Sequence, residues 1–72
     1  MKITYYPETD SLYIDLSENP GAESVEISAG VVVDYDSKGN LVGIDIDNAS
    51  KKVVLKKFTL SKLPAMEQVI EA

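Results

Sequence analysis

Between residues 2 and 47 the chain alternates apolar and polar positions with period two. Ile3 and Tyr5 alternate with Lys2, Thr4 and Tyr6. After Pro7-Glu8-Thr9-Asp10, Leu12, Ile14 and Leu16 alternate with Ser11, Tyr13 and Asp15. Val31, Val33 and Tyr35 alternate with Val32, Asp34 and Asp36, and after Ser37-Lys38-Gly39-Asn40 they face Val42, Ile44 and Ile46. Successive side chains of a strand point to opposite faces, so this spacing predicts a half-buried antiparallel sheet.

The pattern also sets register. A loop at Pro7–Asp10 places Tyr6 opposite Ser11, Tyr5 opposite Leu12, Ile3 opposite Ile14 and Lys2 opposite Asp15. Every apolar residue then meets an apolar one, and the opposed charges attract. In the second hairpin Tyr35 is set against Val42, Val33 against Ile44, Val31 against Ile46, Asp36 against Leu41 and Asp45 against Val32. Gly39 supplies the positive φ that such a loop needs. Ser17–Ala22, with Pro20-Gly21, reads as a loop, and Glu23–Ile27 as a short strand with Val25 and Ile27 inward. Five strands in chain order make a meander.

Beyond Asp47 the period changes. Asn48 suits a helix N-cap, followed by lysine-rich helical sequence with Val54, Leu55 and Phe58 on one face. Residues 53–60 fit a helix or a sixth strand, since Val-Val and Phe-Thr favour β structure. A further helix is expected from Ser61 or Leu63, burying Leu63, Met66 and Ile70. The expected fold class is α+β: a single domain over 1–72, with a sheet at 1–47 and a helical segment at 48–72. One or two short C-terminal helices pack on one face of the sheet.

Composition narrows the chemistry. The 72 residues include no histidine, cysteine, tryptophan or arginine. The usual near-neutral acid/base, thiol nucleophile, commonest metal ligand and bidentate phosphate fork are therefore all missing. A chain of this length buries only about 60% of its unfolded surface. With no cysteine to cross-link it, self-association is the expected remedy. Met1 leads straight into the first strand, so no signal peptide is expected. No apolar run approaches the roughly 18 residues of a membrane span. The expected setting is cytoplasmic, with no membrane partner.

Charge is unevenly placed. Residues 1–47 hold ten acids and two lysines, a balance of −8, while 48–72 hold five lysines and two acids, a balance of +3. Such a sheet repels nucleic acid and would attract a basic protein, while acids that simply keep a small sheet soluble account for the same balance and carry more of the weight.

Three candidate chemistries arise. Asp34, Asp36, Gly39 and Asp45 match four positions of a calcium loop, but Lys38 stands where an oxygen ligand belongs, and the hairpin turn accounts for the same residues. Paired carboxylates for glycoside hydrolysis could come from Asp15, Asp34, Asp36, Asp45 and Asp47, yet a flat sheet face offers no sugar-sized cleft. Tyr6 and Tyr13 could stack bases, but an acidic surround without arginine opposes that. No catalytic, metal or cofactor-binding residues are expected. The preferred candidate is a protein-contact face formed by Tyr6, Tyr13, Val32, Asp34, Asp36, Leu41 and Asp45.

The runs Tyr6-Pro7-Glu8-Thr9-Asp10-Ser11-Leu12-Tyr13-Ile14, Gly30-Val31-Val32-Val33-Asp34-Tyr35-Asp36, Gly39 to Ile46 and Asn48-Ala49-Ser50 together resemble the small prokaryotic family known as domain of unknown function 2283. Tyr5-Tyr6-Pro7 departs from its pattern by lacking a residue between tyrosine and proline, so Tyr5 fills the family's tyrosine position. The resemblance implies a small sheet with a C-terminal helix and carries over no catalytic residue. Family members are often encoded beside small toxin-like proteins, which implies an antitoxin-like role. The expected function is a non-enzymatic protein-interaction module with a small basic protein partner. The alternative is a homo-dimer or larger homo-oligomer that is structural and has no hetero-partner.

Overall fold

A computed structural model describes residues 1–61 and the backbone of residues 68–71. Five strands form one antiparallel sheet: β1 (Lys2–Tyr6), β2 (Ser11–Asp15), β3 (Glu23–Ser28), β4 (Val31–Tyr35) and β5 (Leu41–Asp47). A single helical turn, α1 (Ala49–Lys52), follows, and β6 (Lys57–Leu60) pairs with β7 (Gln68–Glu71) as a separate two-stranded sheet. Among the described residues α1 is the one helix, and Lys57–Leu60 and Gln68–Glu71 of the expected helical segment at 48–72 are strand instead. The open choice at 53–60 resolves toward strand from Lys57 onward, as Phe58-Thr59 prefer. The helix expected from Ser61 or Leu63 falls mostly outside the described residues, but Ile70 lies in β7 and not on a helical stripe.

The first hairpin has the register that its alternation predicts, from Lys2↔Asp15 to Tyr6↔Ser11. The second agrees at Val31↔Ile46, Val32↔Asp45 and Val33↔Ile44. It then departs: a bulge sets Tyr35 opposite Leu41, so neither Tyr35–Val42 nor Asp36–Leu41 pairs as expected. A bulge places two residues against one, and here Val42 becomes one of the best-buried side chains, at 5% exposure.

The strands keep chain order within β1-β2 and within β3-β4-β5, but the two parts join through β2 and β5, giving the spatial order β1-β2-β5-β4-β3. This is Greek-key connectivity rather than one continuous meander. The connection from β2 to β3 must therefore cross from the middle of the sheet to its far edge. Three hydrogen bonds pin it: Leu16 N–H to the Val42 carbonyl at 2.8 Å, the Asn19 amide to Asp36 Oδ2 at 3.1 Å, and Ala22 N–H to the Tyr35 carbonyl at 2.8 Å.

Paired registers sort the side chains into rows. On one face Ile3, Ile14, Ile44, Val33 and Val25 cross all five strands, and Tyr5, Leu12, Ile46 and Val31 cross four. Only Val33, Val42 and Ala49 are buried among the apolar residues described, and no large side chain is fully enclosed. Residues Val53 to Leu60 flank part of this face and leave a groove of about 770 Å³ beside Ile3, Tyr5, Leu12, Ile14 and Ile46. Among the described residues, the layer expected to cover the sheet is incomplete.

Candidate functional site

The opposite face holds Thr4, Tyr13, Asp45, Val32 and Glu26 in one row and Lys2, Asp15, Gly43, Asp34 and Ser24 in the next. Tyr13 is set by register beside Asp45, yet its hydroxyl reaches across β5 and donates to Asp34 Oδ2 at 2.8 Å. The path exists because Gly43 has no side chain: a Cβ there would collide with the Tyr13 hydroxyl and ring. Ser24 donates to the other Asp34 oxygen at 2.6 Å. The hydrogen bond to Asp34, aided by burial and the surrounding acids, pushes the Tyr13 hydroxyl up to about 12. Burial, followed by repulsion from Asp47 and Asp34, raises the Asp45 carboxyl above its ordinary value. A proton donor and a carboxyl with raised affinity thus lie near one another, and Tyr13 and Asp15, with Leu16 to Asn19 of the crossing connection, line an open depression of about 740 Å³ where the alternation alone predicts a flat face.

Of the residues expected at a contact face, Tyr13, Val32, Asp34 and Asp45 come together here. Tyr6 lies on the same side at the end of β1, opposite Ser11 and 48% exposed. Leu41 is 50% exposed beyond the bulge, at the start of β5. Asp36 does not belong to the face. Its carboxylate is buried at the hairpin loop, where Oδ1 accepts the Lys38 and Asn40 N–H groups, both at 2.9 Å, and Oδ2 accepts the Asn19 and Asn40 side-chain amides. Those bonds, led by the Asn40 N–H, hold its carboxyl below the ordinary value. The carboxylate that resembled a calcium ligand is already satisfied by the turn and by the crossing connection.

A second buttress lies at Asp10, which adopts a left-handed conformation at φ 53°. Its Oδ2 accepts the Ser50 hydroxyl at 2.7 Å, and its Oδ1 accepts the Ser50 N–H at 3.1 Å and the Tyr5 hydroxyl at 2.8 Å. The Asp10 carbonyl also accepts the Ala49 N–H at 2.9 Å. These bonds, the Ser50 hydroxyl foremost, lower the Asp10 carboxyl, while Asp10 raises the Tyr5 hydroxyl. Asn48, expected as the N-cap, makes no side-chain cap bond and takes a left-handed conformation instead. The first turn of α1 is capped from forty residues away.

Sequence reasoning omitted Glu26 and Ser24 from the contact face, because only the β3–β4 register places them there. Asp15 and Asp47 follow from the alternation and belong to the same surface. Among the described residues no cluster of three potential metal ligands occurs. Nor is any described helix long and apolar enough to cross a membrane.

The residues behind the resemblance are thus largely architectural: Asp10, Ala49 and Ser50 form one junction, Asp36, Gly39 and Asn40 a turn, and Gly43 the passage for Tyr13. No curated protein and no solved structure gives a significant match to the chain. A family model described as a protein of unknown function (DUF2283) matches residues 2–50, and the chain belongs to that family.

Proposed function

We propose that this protein is a non-enzymatic protein-interaction module whose acidic sheet face engages a small basic protein, in the manner of an antitoxin. The observation that carries this reading is the face around Tyr13, where Asp15, Asp34, Asp45, Asp47 and Glu26 are held by the strand registers and Lys2 is the one strand cation in their rows. Rigid strands fix these charges, so a cationic partner meets them without the cost of ordering them. Burial raises the Asp45 carboxyl first, and the repulsion from Asp47 and Asp34 that adds to it is relieved when a cation arrives. A cytoplasmic setting goes with this reading and is supported by the cysteine-free composition.

The test is a combined Asp45→Asn, Asp47→Asn and Glu26→Gln variant, which leaves the Asp34 and Asp36 hydrogen bonds intact. A small basic protein encoded by the adjacent gene is expected to bind the wild type, with an association rate that falls steeply with salt, and to bind the variant more slowly. Co-expression with that gene product is expected to relieve any growth inhibition it causes. Binding indifferent to salt and to the three substitutions, or no binding at low salt, favours the alternative of a structural homo-oligomer without a hetero-partner.

A further inference from the structure

Among the described residues the five-stranded sheet has two open edges, β1 and β3, since β6 pairs with β7 and not with either of them. An open edge is a row of backbone donors and acceptors able to take one more strand. Neighbouring bonds show which groups of β3 are free. Residues along a strand direct their backbone groups alternately to its two sides. Asp47 N–H donates to the Gly30 carbonyl and Ala22 N–H to the Tyr35 carbonyl, both at 2.8 Å. Counted along β4 from either end, Val31, Val33 and Tyr35 bond toward β3, and Val25, opposite Val33, bonds back. Ser24 and Glu26 therefore turn their N–H and carbonyl groups outward.

Charge separates the two edges. β3 carries two glutamates and no cation, whereas β1 carries Lys2 and no acid and borders the groove flanked by Val53 to Leu60. Resting on the basic-partner reading above, we propose that an extended basic segment of that partner adds to the sheet antiparallel to β3. Main-chain bonds to Ser24 and Glu26 hold it, and alternation fixes its side chains. Its cations lie on the acidic side, beside Glu26, while its apolar residues cover Val25 and Ile27, which are 41% and 60% exposed. The bulge between Glu26 and Ser28 ends the regular stretch, so pairing is confined to Glu23–Glu26. Pairing of β3 with β3 of a second copy sets glutamates together, so the same charges that admit a cationic strand oppose self-pairing.

The probe is an end-blocked peptide of about eight residues alternating lysine and valine, added to the full chain at low salt. In an antiparallel addition the lysines pair with Ser24 and Glu26, so their N–H groups face β3 and those of the valines face away. Methylating every lysine backbone nitrogen is expected to weaken binding about tenfold or more, and methylating every valine nitrogen to leave it within about twofold, at identical charge. Hydrogen exchange at the Ser24 and Glu26 amides is expected to slow about tenfold or more at saturating peptide, with the β1 amides unchanged. Ser24→Pro removes an outward N–H without touching the β3–β4 ladder and is expected to weaken binding about tenfold, whereas Ser24→Ala, which loses the same hydroxyl bond to Asp34, is expected to change it by less than about twofold. Equal binding by the two methylated peptides, unslowed exchange at Ser24 and Glu26, or no binding of the unmethylated peptide overturns strand addition. Salt-sensitive capture of the basic partner that survives Ser24→Pro but fails in the Asp45, Asp47 and Glu26 variant also overturns it, and leaves the acidic-face reading standing. If Ser24→Pro does not fold, the methylated peptides and the exchange of the wild type decide.

Discussion

Replacing Gly43 by alanine tests why a central strand tolerates glycine. Alanine ordinarily gains about 0.5–1 kcal/mol over glycine in a strand by restricting the unfolded chain. Here its Cβ would occupy the space of the Tyr13 hydroxyl and ring tip and would lie 3.1 Å from the Ile14 carbonyl. Tyr13 must swing away and lose its hydrogen bond to Asp34. A bond to a charged acceptor contributes roughly 1.5–3 kcal/mol, and partial exposure argues for the lower end. With lost packing over the β5 backbone added, Gly43→Ala is expected to destabilise by about 1–2 kcal/mol. That corresponds to a fall in melting temperature of about 4–8 °C per kcal/mol for a domain of this size. In a Tyr13→Ala background the collision disappears while the Ile14 contact remains, so the same change is expected to cost no more than ~0.5 kcal/mol. Urea denaturation of the four proteins, followed by circular dichroism at one fixed protein concentration, gives the coupling energy. A value below ~0.5 kcal/mol would falsify the claim that Tyr13 is what requires glycine at this position.

Three further expectations concern titration and ligands. Of the four tyrosines, Tyr13 is expected to titrate near 12 by ultraviolet absorbance. Because its folded value lies above the unfolded 10, the stability it contributes is present below pH 10 and lost as pH rises toward 12; Tyr13→Phe should remove that step, and an unchanged profile would count against the Asp34 bond. Asp10 and Asp36 have lowered carboxyls, so their contributions are present above about pH 4 and lost as pH falls through their folded values. Asp10→Ala is expected to flatten part of that acid transition and to speed hydrogen exchange at the Ser50 amide, and unchanged exchange there would show that the junction closes without the carboxylate. Calcium is expected to leave the melting temperature where matched ionic strength leaves it, because the turn already occupies the Asp36 oxygens.

The local parts of this fold are legible in the sequence because period two is a local code. Ile3, Leu12 and Ile14 announce a register, and a one-residue slip would turn them to the wrong face. The same code does not say which strand β2 pairs with next. β3 and β5 both alternate, and the choice of β5 depends on packing between distant segments. It also hides the bulge at Tyr35, because the unbulged pairing with Val42 satisfies alternation equally well. The helical expectation after Asp47 gave weight to lysines and spacing, whereas the β-prone Phe58-Thr59 pair prevailed. At the candidate face, Tyr13, Asp34 and Asp45 were visible as outward residues. The distinction between Asp34 and Asp36 was not, since it rests on Asn19 arriving from a connection whose course depends on strand order.

Strand order also dictates a sequence of events in folding. β3, β4 and β5 pair with neighbours in the chain and can form as soon as each has been synthesised. The β1-β2 hairpin is made first but has no place in the sheet until β5 exists, because β2 bonds to β5 alone besides β1. Its docking closes a loop from Asp15 back to Gly43, and the Asp10–Ser50 junction closes a slightly longer one. A ribosome-bound chain that has not yet exposed residue 47 therefore carries two hairpins, each with an apolar face and an unpaired edge. The last strand of the five-stranded sheet to arrive is the one that unites them, so the interval before β5 emerges is when this protein is most open to aggregation or to capture by a chaperone.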